Sequence, residues 1–256
     1  KTILKNIQSE IEGIEKLTNK KFGDLKNPLL VSVRSGARVS MPGMMDTILN
    51  LGLNDQTVKA LTKKTLNGRF AKDSYRRFIQ MYSNVVLNIE GYLFEEMIDN
   101  QKLNKGVLQD TELGESDWDE LIQKFKELVK KKTKKNFPQN VQEQLYGAIS
   151  AVFLSWDSQR AKTYRKLNQI PDHWGTAVNV QSMVFGNMGK DCSTGVIFTR
   201  NPSTGENNFF GEYLINAQGE DVVAGTRTPQ HITRKARRVV GSKEKSMEEM
   251  MPIVFQ

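Results

Sequence analysis

Arg34 is the first residue whose type and position could give it a chemical role. It follows a short apolar run, Leu29–Val33, and it precedes Ser35 and Gly36. Such a run after a proline predicts a buried strand, and a guanidinium at the end of a strand can hold two phosphate oxygens through parallel hydrogen bonds. A structural ion pair at the strand end explains the same pattern, so the spacing alone leaves both interpretations open.

A glycine-rich segment over residues 183–195 is the second candidate. It contains three glycines together with Ser193 and Thr194, and a strand is predicted on each side of it. Glycines let backbone N–H groups approach phosphates closely, and hydroxyl groups add donors. The G-x-x-x-x-G-K-[ST] pattern of a Walker loop does not occur. A phosphate-binding loop and an ordinary long hairpin are therefore both compatible with this composition.

The turn from Asn216 to Asp221 is the third candidate, because it places Glu220 just after a predicted strand and a glycine. A carboxylate in this position can accept hydrogen bonds from ribose hydroxyls or bind a cation. A polar turn that caps the following segment is an equal alternative.

Three methionines, Met41, Met44 and Met45, surround Pro42 and Gly43. Methionine side chains can line an adenine site, and they also fill irregular gaps in a core, so both roles remain open. The sequence contains no cluster of Cys and His with metal-binding spacing and no hydrolase triad. We therefore predict no metal site built from the residues of this chain.

Hydrophobic periodicity predicts the elements that must position these residues. Apolar spacing of three and four residues predicts a helix over 1–20 and an almost wholly helical region over 55–165, with Pro138 in the first turn of one helix. After residue 171 the period falls to two, which predicts strands. We predict an α+β fold in three parts: the start of an α/β subdomain over 1–54, an inserted helical subdomain over 55–138, and a helix followed by a β-rich subdomain over 139–256.

The composition is that of a soluble globular protein, with 38% hydrophobic and 26% charged residues in 256. No apolar run approaches the ~20 residues that span a bilayer, so we predict no membrane partner. The single cysteine, Cys192, allows no internal disulfide, which fits a reducing compartment and a cytoplasmic location.

The net charge of +8 favours anionic partners, and much of the excess lies in a lysine run, Lys124–Lys135. Nucleic-acid binding is one interpretation of such a run, and a solvated helix end is the other. The run almost lacks the arginine and aromatic residues that stack on bases, so we expect no specific nucleic-acid partner.

Four segments are far more specific together than any of them alone. Leu29–Asp55 contains VRSGAR and SMPGMMD, Gly175–Gly189 reads GTAVNVQSMVFGNMG, Thr194–Glu206 reads TGVIFTRNPSTGE, and Gly211–Gly225 contains NAQGED. Their order and spacing resemble the pyruvate, phosphate dikinase family over essentially the whole chain.

The resemblance implies an ATP-grasp nucleotide-binding domain, with ATP as substrate, of a phosphotransferase with paired acceptors. Enzymes of this family convert ATP, phosphate and pyruvate to AMP, pyrophosphate and phosphoenolpyruvate. The two terminal phosphates of ATP pass to a histidine on another domain. One phosphoryl group then goes to inorganic phosphate and the other to pyruvate. Implied partners are therefore inorganic phosphate, the phosphohistidine and pyruvate-binding domains of the same full-length chain, and a second copy in a homodimer.

The family pattern also extends beyond both ends of this sequence. A glycine-rich segment with a phosphate-binding lysine is expected before Lys1, and the carboxylates that bind Mg²⁺ are expected after Gln256. The chain alone is therefore expected to bind nucleotide poorly and to be inactive.

Roles for individual residues are also implied by the resemblance. Arg34 is expected to be catalytic and to contact the ATP phosphates, Thr194 and Gly195 are expected in a mobile loop over the phosphates, and Glu220 is expected to face the ribose or the adjoining polar site. The adenine side is assigned to three residues: Gln181, Met183 and Val184. The alternative families are a related dikinase such as phosphoenolpyruvate synthase, which SMPGMMD and NAQGED disfavour, and a basic nucleic-acid-binding module.

Overall fold

A computed structural model describes residues 2–223, 225 and 227–256. The chain divides into two compact units, Lys1–Met183 and Val184–Gln256, here called the first and second units. The mixture of helices and strands confirms the predicted α+β class. The predicted boundaries after residues 54 and 138 stay a prediction, and the division between the two units falls within the third predicted part.

The first unit combines short strands with a helical region. The strands are β1 (Lys21–Phe22), β2 (Pro28–Leu29), β3 (Val31–Gly36), β4 (Thr47–Leu51) and β5 (Ala177–Ser182). The helices are α1 (Thr2–Thr18), α2 (Thr57–Thr65), α3 (Gly68–Val85), α4 (Tyr92–Lys105), α5 (Glu115–Thr133), α6 (Val141–Leu154) and α7 (Gln159–Leu167). Short 3₁₀ turns cover Asp110–Glu112, Ser155–Asp157 and Asp172–Trp174.

An antiparallel sheet in the order β4-β3-β5 carries the first candidate site. The central strand β3 buries Val31 and Val33 completely, as expected for an apolar run between two neighbouring strands. Strand β5 joins this sheet although it lies about 140 residues further along the chain, so the helical region is an insertion between two strands that pair.

The helical region is held by the apolar stripes that the sequence predicts. Phe78 and Tyr82 of α3 pack edge to face against Phe137 at ring-centroid distances of 5.6 Å. The prediction that Pro138 lies in the first turn of a helix is wrong. Helix α6 begins at Val141 because the side chain of Asn140 accepts hydrogen bonds from two backbone N–H groups of the first turn.

A buried charge cluster joins α3 to the segment before α5. Asp73 is 4% exposed, and its carboxylate accepts a hydrogen bond from Arg76 Nε at 2.8 Å. Burial on its own would raise the pKa of Asp73, but the charges of Arg77, Arg76 and Arg69 outweigh it and lower the pKa to about 2. Arg76 also donates to Asp110 at 2.9 Å, so one ion network fixes two elements.

The second unit is built on an antiparallel sheet in the order β6-β7-β8. Its strands are β6 (Ser193–Phe198), β7 (Phe210–Ile215) and β8 (Gln230–His231), and its helices are α8 (Gly219–Val223), α9 (Arg234–Val240), α10 (Met247–Met250) and α11 (Pro252–Phe255). Its small core includes Tyr213, Leu214, Ala217 and Ile232. Among the described residues of both units, no helix is both long and apolar enough to cross a bilayer.

Candidate functional site

Arg34 lies at the point where β3 changes from buried to exposed. The three residues before it are buried, and the Arg34 side chain is exposed. It pairs with Thr47 on β4 and with Asn179 on β5. Among the described residues, the Arg34 guanidinium takes part in no ion pair. The structural ion pair that the sequence left open is therefore not formed within the described parts of the chain, and β3 presents the Arg34 side chain to solvent.

Gln181 lies on β5, which pairs with the strand that carries Arg34, and Met183 follows β5 directly. Gln181 pairs with Ser32 in the β3–β5 ladder, and the N–H of Met183 donates to the carbonyl of Leu30 at 2.9 Å. Residues two apart on a strand share a face, so Gln181 lies on the same face of the sheet as Asn179 and its partner Arg34. The structure thus brings Arg34 and Gln181 together as diagonal neighbours.

The segment from Ala37 to Asp46 follows β3. It is held in place by contacts with the 3₁₀ turn Ser155–Asp157 and with α7. Met41 is 8% exposed and packs with Trp156 and Ala161. This settles the role of Met41 as a core side chain. A cavity of about 230 Å³ opens beside it. Its lining residues are Ser35, Gly36, Ala37, Val39, Ser40, Met41, Pro42 and Met45.

Arg160 is an anchor of this segment that sequence reasoning missed. Its Nε donates to the carbonyl of Met44 at 3.1 Å, and its guanidinium forms an ion pair with Asp46. The backbone N–H of Asp46 also donates to Ser155 Oγ at 3.1 Å. These partners are more than 100 residues apart in sequence, so no local pattern could have indicated them.

In the second unit, the prediction that Thr194 and Gly195 lie in a mobile loop is wrong. Both residues lie in β6, where Thr194 pairs with Leu214 and Gly195 pairs with Tyr213. A β-carbon added at Gly195 would lie 2.6 Å from the carbonyl oxygen of Glu212. Glycine is therefore required here because β7 approaches closely. From the sequence alone, this requirement looks the same as the glycine of a flexible loop.

The hydroxyl of Thr194 occupies a tightly packed position. Its Oγ1 donates to the carbonyl of Ala217 at 2.7 Å. A β-carbon on Gly186 would lie 2.0 Å from this Oγ1 and 2.6 Å from the Ala217 oxygen. The backbone of Gly186 also accepts a hydrogen bond from Ala217 N at 2.9 Å. The turn before β6 and the turn after β7 are thus joined at Gly186, Thr194 and Ala217.

Glu220 and Val184 are the remaining predicted site residues. Glu220 lies in the first turn of α8 and is partly buried, and its neighbour Asp221 accepts a hydrogen bond from the backbone of Gln218 at 2.8 Å. Asp221 thus has the capping role that the sequence left open for this turn. Val184 is 90% exposed. Of the predicted residues, Arg34, Gln181 and Met183 belong to the first unit, and the other four belong to the second.

The lysine run forms the C-terminal end of α5 and the residues after it. Lys124 pairs with Glu120 at 2.7 Å, Lys126 pairs with Asp55, and three lysines occupy the last helical turn. Lysines at a helix C-terminus are stabilised by the helix dipole. This geometry favours the interpretation of a solvated helix end over that of a nucleic-acid surface.

Within the described parts of the chain, no group of three or more His, Cys, Asp or Glu side chains could hold a metal ion.

Comparison with known proteins adds a family match to this geometry. The family model described as "Pyruvate phosphate dikinase, AMP/ATP-binding domain" matches residues 1–255. The chain is 56% identical over 249 residues to "Pyruvate, phosphate dikinase" of Rhizobium meliloti, covering 97% of this chain and 28% of the relative. It is 61% identical over 239 residues to the protein of the same name from Clostridium symbiosum, covering 91% of this chain and 27% of the relative.

A third relative is "Pyruvate, phosphate dikinase 1, chloroplastic" of Zea mays. It is 54% identical over 222 residues, which is 87% of this chain and 23% of the relative. The chain thus spans about a quarter of the length of the curated relatives it matches.

Proposed function

Because the chain belongs to the pyruvate phosphate dikinase AMP/ATP-binding domain family, we propose that it binds ATP as part of a longer dikinase polypeptide. The proposed overall reaction converts ATP, inorganic phosphate and pyruvate to AMP, pyrophosphate and phosphoenolpyruvate. The two terminal phosphates of ATP move to a histidine of another domain. One phosphoryl group then passes to inorganic phosphate and the other to pyruvate. The cytoplasm is the proposed location and a homodimer the proposed full-length assembly.

The single observation that carries this proposal is the placement of Arg34. Its guanidinium is exposed where the buried part of β3 ends, and it has no ion-pair partner among the described residues. An arginine that binds phosphate needs a backbone that is held in place and guanidinium N–H groups that are not engaged by a carboxylate. The position of Arg34 in β3, without an ion pair among the described residues, supports this role. Phosphoryl transfer asks the protein mainly to position and neutralise the phosphates. We therefore assign Arg34 to the phosphates that leave ATP.

The other assignments are made within each unit. In the first unit, Gln181 and Met183 line the adenine side, which fits the position of Gln181 on the same sheet face as Arg34. In the second unit, we assign Val184 to adenine, Thr194 and Gly195 to phosphates, and Glu220 to the ribose or the adjoining polar site. Mg²⁺ accompanies ATP in this proposal, with its ligands outside this chain.

Arg34→Ala in the full-length polypeptide tests the proposal. Loss of the bidentate cation should lower AMP formation from ATP by 100-fold or more, on the order expected for removal of a transition-state contact. Conversion between pyruvate and phosphoenolpyruvate on the phosphohistidine domain should be largely intact. Arg34→Lys keeps the charge without the planar fork and should recover only part of the rate. Unchanged AMP formation in Arg34→Ala would refute the assignment.

A further inference from the structure

Two buried carboxamides in the second unit have no hydrogen-bond partner among the residues that the structure describes. Asn187 is 5% exposed and Gln218 is 4% exposed. Neither amide nitrogen nor amide oxygen of either side chain has a hydrogen-bond partner among the described residues. Buried polar side chains are almost always hydrogen-bonded, because a buried group without a partner loses its bonds to water and gains none in return.

Asn187 and Gln218 both lie next to the junction of Gly186, Thr194 and Ala217. Asn187 follows Gly186, Gln218 follows Ala217, and the N–H of Ala217 donates to the carbonyl of Gly186 at 2.9 Å. The hydroxyl of Thr194 donates to the carbonyl of Ala217 at this junction. Although Asn187 and Gln218 start from residues next to a hydrogen-bonded backbone pair, their amides do not bond to each other. The two amides therefore belong to residues that each adjoin the hydrogen-bonded pair of Gly186 and Ala217.

The chemistry of a carboxamide restricts what could satisfy this pair. Each side chain offers an N–H₂ group that donates and an oxygen that accepts. A phosphate anion would use mainly the donors, and a metal ion would use only the oxygens. A hydroxyl group both donates and accepts, so it satisfies both halves of a carboxamide.

We propose that the carboxamides of Asn187 and Gln218 form a binding site for a hydroxyl group. Two sources supply this chemistry, a water molecule enclosed at the junction and a ribose hydroxyl of the nucleotide. The ribose source rests on the proposed function, whereas the water source does not. Nothing in the sequence motifs assigns a role to either residue.

Thermal unfolding of the 256-residue chain without nucleotide separates the sources. Gln218→Met and Asn187→Leu keep the side-chain size and remove the amide. Gln144→Met is the matched control, because Gln144 is fully buried and its amide bonds to Gly52, Leu53 and Pro138. Loss of satisfied bonds should lower the unfolding midpoint in this control by roughly 2–4 °C or more.

If a water molecule is enclosed at the junction, Gln218→Met and Asn187→Leu should lower the unfolding midpoint, as the control substitution does. If the site instead binds a ribose hydroxyl, the amides have no partner in the absence of nucleotide. Both variants should then be more stable than the parent chain without nucleotide, because an unpaired buried amide is removed. In that case the full-length polypeptide carrying either change should lose about 10-fold of its preference for ATP over 2′,3′-dideoxy-ATP, the equivalent of one hydrogen bond.

Raised or unchanged midpoints together with an unaltered preference for ATP over the dideoxy analogue would overturn the site. Failure of the proposed function looks different, since the unsubstituted full-length polypeptide would then bind neither nucleotide. The comparison of midpoints would still decide whether water occupies the junction. Using two variants at different positions keeps the test valid if one of them does not fold.

Discussion

Thr194 Oγ1 donates a hydrogen bond to the carbonyl oxygen of Ala217 across 2.7 Å. This bond links β6 to the turn that follows β7 and fixes the rotamer of the hydroxyl proposed to face ATP. The same residue therefore has a structural role and a proposed functional role, and the two roles can be separated by substitution.

Thr194→Val should destabilise the chain by about 1–2 kcal/mol, because the Ala217 carbonyl loses its donor in a partly buried place. In the full-length polypeptide it should also weaken ATP use. Thr194→Ser keeps the hydroxyl and should retain both properties to a large extent. Chemical unfolding gives the first quantity and AMP formation the second. An ATP rate in Thr194→Val equal to that of the parent would argue against phosphate contact.

Gly186→Ala should be among the most destabilising single changes in the second unit. The new β-carbon would meet Thr194 Oγ1 at 2.0 Å and the Ala217 oxygen at 2.6 Å, so backbone must move, at a cost of about 2–3 kcal/mol or more. Gly219→Ala is the matched control, since nothing lies within 4 Å of its added β-carbon. Urea unfolding of both variants makes the comparison, and similar midpoints would contradict this packing.

Asp73 should make the stability of the first unit depend on acid pH. Its pKa is lowered to about 2 from 3.8 by neighbouring arginines. A depressed folded-state pKa gives stability that is complete above the unfolded pKa and is lost as the pH falls toward 2. The contribution is on the order of 2 kcal/mol.

The pH effect is isolated by comparing the parent chain with Asp73→Asn. The variant should be destabilised near neutral pH by about 3 kcal/mol or more, because it leaves buried arginine charge uncompensated. The difference between the two proteins should shrink as the pH falls below 4. Urea unfolding between pH 6 and pH 3 measures it, and a difference that stays constant would exclude Asp73 as the source.

Met41→Ala should loosen the segment that follows β3. Met41 is packed against Trp156 and Ala161 at 8% exposure, so truncation should cost about 2–5 kcal/mol. Val39→Ala is the control in the same segment, because Val39 is 39% exposed and should change stability by less than about 1 kcal/mol. Hydrogen exchange of residues 37–46 should increase in Met41→Ala alone. Equal protection in both variants would show that Met41 is not the anchor.

The sequence determined much of the secondary structure and the family. Helical stripes such as Tyr75, Phe78 and Tyr82 became buried faces of α3, and the alternation over residues 177–182 became β5. Periodicity succeeds here because it records, within a few residues, which side of an element faces the core. The combination of motifs across the chain likewise indicated the family that the comparisons then showed.

Only the tertiary structure decided where the candidate residues lie and what they contact. The exposure of Arg34 beside Gln181 depends on the pairing of β3 with β5, strands separated by the whole helical region. The placement of Thr194 in β6, the anchoring of the 37–46 segment by Arg160, and the unpaired amides of Asn187 and Gln218 also arise from contacts distant in sequence. A local pattern carries no information about such partners, because register and burial are set by which segments meet in the folded chain.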